Sequence, residues 1–136
     1  WAILLALTSN TGSADFQQHQ LTDTGAPLWE AVLQQAQDWG SPDNLMFVVG
    51  ATHPQAFARV RELAPESFLL VPGVGAQGGD LAAICRYGLT KDGGLLVNAS
   101  RSILYASDGE DFAEQARAEA LRMQQEMANL LAAVSV

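Results

Sequence analysis

Cysteine is nearly missing from this sequence. The one thiol, Cys85, has no internal partner for a disulfide, so a reducing, cytoplasmic setting is the expectation. Histidine is almost as scarce: His19 and His53 lie far from each other and from Cys85, which leaves a zinc site without ligands at workable spacing. No metal is implied. Charge is sparse and one-sided, with 16% charged residues among 136, and seven Lys plus Arg against fifteen Asp plus Glu for a net charge of −8. Such a chain repels phosphate backbones at long range, so nucleic acid is not an expected partner. A small phosphorylated ligand is not excluded, because a pocket with one Arg and several N–H groups outweighs a diffuse, salt-screened field. No apolar run approaches the ~20 residues that cross a bilayer. The opening "WAILLAL" is far too short, and no secretory signal is visible; no membrane partner is expected. A starting Met is also lacking, and the chain opens inside a strand-like run, from which we expect a piece of something longer.

What is present is a globular composition, 49% hydrophobic, sized for one domain. Four short apolar runs stand out: Ala2 to Leu7, Leu45 to Val49, Phe68 to Val71 and Leu95 to Val97. Each is nearly continuous, as parallel strands covered on both faces read. Helical patterns follow: Ala26 to Trp39 with Leu28, Val32, Leu33 and Ala36 on one stripe; Pro54 to Ala64, with Thr52 as its N-cap; Leu81 to Tyr87, opened by Asp80; and Asp108 to Leu131, with Met123, Met127, Leu130 and Leu131 on its packed side. The terminal "VSV" is expected to fray. Four βα units in series mean a doubly wound sheet or part of a (β/α)8 barrel. Four strands are too few to close a barrel, so the expected fold is α/β, one half of a TIM barrel lacking its other half. Either architecture puts chemistry in the loops after Leu7, Val49, Val71 and Val97.

Two of those loops carry signals. In "PGVGAQGGD" the glycines at 73, 75, 78 and 79 permit positive φ and close backbone approach, and successive N–H groups in such a turn can make a concave anion site. The loop lacks both the Walker pattern and the GxGxxG spacing, and a plain tight turn is an equal reading. In "LLVNASRSILYA" a strand ends at Asn98, then Ser100, Arg101 and Ser102 open a short helical turn, with Ile103 and Leu104 packing back on the core. An Arg beside free helix N–H groups attracts phosphate, and barrels place such a site after strands seven and eight. If the last two strands are those two, Gln77 and Arg101 face one phosphate. Cys85 reads as core, Lys91 to Gly94 as a turn and His19 as exposed, while the formal sequon at Asn98 ends a buried strand.

"LVPGVGAQGGDL" followed by "GLLVNASRSILYAS", with "LTSNTGSADFQ", "VVGATHP" and "KDGG" in the same order, closely resembles orotidine 5′-monophosphate decarboxylase, especially its bacterial second subfamily. The resemblance runs over nearly the whole chain and implies strands five to eight of that barrel, residues 1–136 being a single segment. It further implies roles residue by residue: Ser9 reads the pyrimidine amide edge, Pro72 lines the ring pocket, Gln77 rides a mobile loop over the phosphate, and Arg101 with the Ser100 N–H holds the phosphate. Orotidine 5′-monophosphate as substrate, no organic cofactor and a homodimer are likewise implied.

One departure is plain. The family's catalytic centre is an Asp-x-Lys-x-x-Asp array plus another Lys, whereas this chain has a single lysine, Lys91, in "LTKDGG". The segment is therefore expected to supply substrate binding and no catalytic group. Two other readings stay open: a different phosphate-binding barrel enzyme, such as a sugar-phosphate synthase or isomerase, and a non-catalytic module that binds a phosphorylated metabolite.

Overall fold

The computed structural model describes residues 1–75 and 77–134. Strands β1 (Ala2–Leu7), β2 (Leu45–Val49), β3 (Phe68–Pro72) and β4 (Leu95–Asn98) form one parallel sheet in the order β1-β2-β3-β4. Each strand agrees with its apolar run to within a residue. The helices are α1 (Leu28–Ala36), α2 (Ala56–Leu63), α3 (Leu81–Gly88), α4 (Ser100–Leu104) and α5 (Phe112–Val134), with a 3-10 turn at Thr11–Asp15 that the sequence pattern did not signal. Val134 closes α5, and the other two residues expected to fray lie outside the described residues.

The strand register shows which faces are covered. Leu4, Phe47, Leu69 and Leu95 stand side by side across the sheet, and they pack in one core with Leu33, Phe57, Val60, Ile84 and Met123 from the helices. On the opposite face the row Ile3, Met46 and Phe68 and the row Leu5, Val48, Leu70 and Leu96 run together. That face has no second layer among the described residues: Ile3, Leu5 and Leu96 are 52%, 53% and 51% exposed. Cover on both faces, expected from the continuous apolar runs, is therefore met on one face only. The reason is count. A parallel sheet buries its inner face by closing on itself, and closure at barrel tilt takes about eight strands.

The helices differ from expectation mainly at their ends. In α1 the buried stripe is Trp29, Leu33 and Ala36, while Leu28 is exposed because it stands one position off that stripe. The α3 cap forms as expected, Asp80 accepting from the Ala83 N–H at 3.1 Å. Thr52 does not cap α2, which starts at Ala56 with no side-chain cap bond. In α5, Met123 is buried and Met127 and Leu130 pack on the core, while Leu131 is 38% exposed. Leu104 is also exposed, because the five-residue α4 is too short to turn both Ile103 and Leu104 inward.

Arg61 ties the strand starts together. Its guanidinium donates to the carbonyls of Gly88 at 2.7 Å, Ser67 at 2.7 Å and Gly94 at 3.0 Å, with longer bonds to Ala64 and Pro65. Burial pushes its pKa down to about 10, which leaves it charged at neutral pH, and the carbonyl dipoles answer that charge. Gly94 is pinned beneath it, at φ +70° with Arg61 2.9 Å from where a Cβ would stand. Replacing Arg61 by Met takes its donors from these carbonyls, leaving Gly94 only the Leu69 N–H, and should lower stability by roughly 3 kcal/mol. Urea unfolding checks this; Arg61→Lys should rescue little, because an ammonium cannot span the same carbonyls.

Candidate functional site

The loops after all four strands meet at one end of the sheet. After β1, the Thr8 N–H and hydroxyl both donate to Gln17 Oε1, at 2.8 and 3.2 Å, which fixes the chain entering Ser9. After β2, Gly50 lies against Ser9 so closely that a Cβ there would overlap the Ser9 N and Cα. The Gly50 N–H donates to the Leu7 carbonyl at 2.7 Å, and the Ala51 N–H to the Pro72 carbonyl at 2.9 Å. Thr52, read from the sequence as a helix cap, donates its hydroxyl to the Ser9 carbonyl at 2.9 Å. No sequence signal distinguished that role from capping.

After β3 the glycine loop closes on itself. Gly75 donates to the Gly79 carbonyl at 3.2 Å, Gly78 to Gly75 at 2.8 Å and Gly79 to Gly73 at 3.2 Å. The amides of Gly75, Gly78 and Gly79 are therefore taken up inside the loop and are not offered outward. Gly73, Gly75 and Gly78 have φ of 94°, 72° and 84°, which accounts for the residue choice. The turn presents Gln77, whose Oε1 accepts from the Ser9 hydroxyl at 2.5 Å. With its oxygen engaged, the Gln77 amide keeps two N–H donors.

After β4, the Ser100 hydroxyl donates to Asn98 Oδ1 at 3.0 Å, and Arg101 follows in the first turn of α4. A cavity of about 120 Å³ is lined by Pro72, Gly73, Val74, Gln77, Asn98, Ala99, Ser100 and Arg101. Four of the five residues singled out from the sequence thus share one cavity, and the fifth, Ser9, is bonded to its rim. The volume suits a phosphate-sized group and falls short of the ~300 Å³ at which whole-ligand pockets begin. Arg101 has no acidic partner among the described residues, whereas Arg59 and Arg122 are each held by two glutamates.

The other titratable candidates stand elsewhere. Lys91 lies in the turn closed by the Thr90 and Gly93 bonds, ahead of β4 and so at the opposite end of the strands. His19 is exposed, and no group of three His, Cys, Asp or Glu suited to a metal occurs among the described residues. Cys85 is buried, with its thiol pushed up by burial. It lines an apolar cavity of about 420 Å³ with Met123, Met127 and Ile103, which offers little polar chemistry. No described helix is long and apolar enough to cross a membrane.

A model of the Orotidine 5′-phosphate decarboxylase / HUMPS family matches residues 2–116. The chain is 54% identical over 129 residues to orotidine 5′-phosphate decarboxylase of Flavobacterium johnsoniae, covering 95% of this chain and 46% of that protein. Among solved structures it is similar to Leishmania donovani UMP synthase, at TM-score 0.77 and 40% identity over 93% of this chain and 27% of that one. Leishmania donovani OMP decarboxylase follows at TM-score 0.74 and 36% identity, over 93% of this chain and 46% of that one. The chain spans about half the length of the curated relatives it matches.

The close approach at Gly50 is testable. Gly50→Ala puts a methyl into the Ser9 backbone and should cost roughly 2 to 4 kcal/mol by forcing the loops apart, read as a lowered urea midpoint. Gly78 has open space around it but φ of 84°. Gly78→Ala should therefore cost only about 1 kcal/mol, from backbone strain alone.

Proposed function

The chain belongs to the Orotidine 5′-phosphate decarboxylase / HUMPS family, and from that membership we propose that it is the C-terminal half, strands five to eight, of an orotidine 5′-monophosphate decarboxylase. In this reading the parent enzyme converts orotidine 5′-monophosphate to uridine 5′-monophosphate and CO2, works in the cytoplasm without metal or organic cofactor, and is a homodimer. The segment supplies the binding side of that reaction. One observation carries the proposal: the cavity where Gln77 and Arg101 meet is joined through Gln77 to Ser9. A phosphate held at one end and a pyrimidine edge read at the other describe a nucleotide monophosphate.

Within this frame Arg101 and the Ser100 N–H take the phosphate, the Gln77 amide donates to it from the opposite wall, and Pro72 lies under the ring. The Ser9 hydroxyl and backbone meet the amide edge of the base. Decarboxylation exchanges a carboxylate for a proton at a vinyl carbon, and the carbanion that forms needs a nearby cationic lysine to stabilise and protonate it. Lys91 stands at the wrong end of the strands for that, so the Asp-x-Lys-x-x-Asp array belongs to the half that packs on the open sheet face. Phosphate contacts remote from the reacting carbon still contribute, by organising those distant charges as the substrate seats.

The alternative of another phosphate-binding barrel enzyme shares the Arg101 loop but gives Ser9 no base to read. The identity of 50% to 54% with curated decarboxylases favours the pyrimidine reading. In the complete enzyme, Arg101→Ala should lower kcat/KM for orotidine 5′-monophosphate by about two decades or more, matching a loss of roughly 3 kcal/mol. An unchanged kcat/KM contradicts the assignment. The 136 residues expressed alone should show no decarboxylation by ultraviolet assay, for want of the lysine array; measurable turnover contradicts the division of labour.

A further inference from the structure

No residue of the loop after β2 lines the cavity just described, yet three of them hold the neighbouring loops after β1 and β3. Gly50 donates to Leu7 and lies against the Ser9 backbone, Ala51 donates to Pro72, and Thr52 donates to the Ser9 carbonyl. The fully buried Ala51 is also what a Cβ on Gly79 would strike, so this residue seats the base of the glycine loop as well. Two of these links run through backbone N–H groups that any residue supplies. The third is a side-chain hydroxyl, which makes Thr52 the member of the set that acts through a polar side chain.

We propose that Thr52 is a positioning residue for base recognition, holding the Ser9 peptide so that the Ser9 hydroxyl and backbone face the pyrimidine edge. The inference rests on the functional reading above and goes beyond it, since Thr52 touches neither the phosphate cavity nor the base. Ser9 has two polar anchors. Its hydroxyl donates to Gln77 and keeps lone pairs for an N–H of the base, while its carbonyl accepts from Thr52, a partner remote from the cavity. The Thr52 bond is what keeps the Ser9 peptide from turning when its hydroxyl takes a base.

The test is made in the complete enzyme, with uridine 5′-monophosphate and ribose 5-phosphate as paired probes and orotidine 5′-monophosphate as substrate. Thr52→Val keeps the shape of the side chain and removes the hydroxyl. It should weaken uridine 5′-monophosphate about 10-fold, the worth of one hydrogen bond, and lower kcat/KM in step. Ribose 5-phosphate, which has no base, should bind as before. Thr52→Ser restores the hydroxyl and should return uridine 5′-monophosphate affinity to within about 3-fold of wild type. Equal weakening of both probes, or failure of Thr52→Ser to rescue, marks a merely structural role and overturns the proposal, as does an unaltered affinity in Thr52→Val. A wild-type enzyme that neither prefers the base-bearing probe nor turns over substrate overturns the functional reading itself, and the proposal with it.

Discussion

The candidate site depends on backbone segments lying closer together than a Cβ permits. Gly50 against Ser9 and Gly79 against Ala51 are two places where a methyl group has no room, and they sit on either side of the loop after β2. Because that loop lies between the loops after β1 and β3, its close fit fixes the distance from Ser9 to Pro72. The Gly50, Ala51 and Thr52 hydrogen bonds then set direction where the glycines set distance. Such contacts cost a chain conformational entropy at each glycine. They are sustained here by the buried core beneath, where Phe47, Val49, Leu69 and Val71 are fully excluded from water.

Charge is arranged on the same economy. The chain carries a net −8, yet the two most strongly paired arginines, Arg59 and Arg122, are held by glutamates on helix surfaces, and Arg61 is enclosed by carbonyls at the strand starts. Arg101 alone stands at the loop end in the cavity wall. A cation so placed in an acidic protein draws an anion to one spot while the surrounding field discourages polyanions. The composition disfavoured a phosphate backbone and did not exclude a small phosphate.

The strands were legible because fully apolar runs of four to six residues, each followed by polar or glycine-rich loops, leave few other assignments. Their parallel order followed from the intervening helices. The half-open sheet was harder to read, because Ile3, Leu5 and Leu96 are apolar for a face that these residues alone do not cover. At the site, Arg101 and Gln77 were recoverable from loop position, whereas Ser9 and Pro72 needed the family resemblance to stand out from ordinary turn residues. Thr52 was misassigned for a definable reason. A threonine two residues before a proline reads as a helix cap, and only the fold brings the Ser9 carbonyl, 43 residues away, within 2.9 Å of it. In the glycine loop the positive φ values were foreseen, while the bonding of the Gly75, Gly78 and Gly79 amides within the loop was not legible in the sequence.

The central claim is that Ser9, Gln77 and Arg101 belong to one nucleotide site, and a crystal structure of the complete enzyme with uridine 5′-monophosphate tests it most directly. The account predicts the phosphate within hydrogen-bond distance of Arg101, the ring against Pro72 and the base amide edge at Ser9. A phosphate bound away from Arg101, or a pyrimidine that leaves Ser9 in its bond to Gln77 and touches neither, would contradict it.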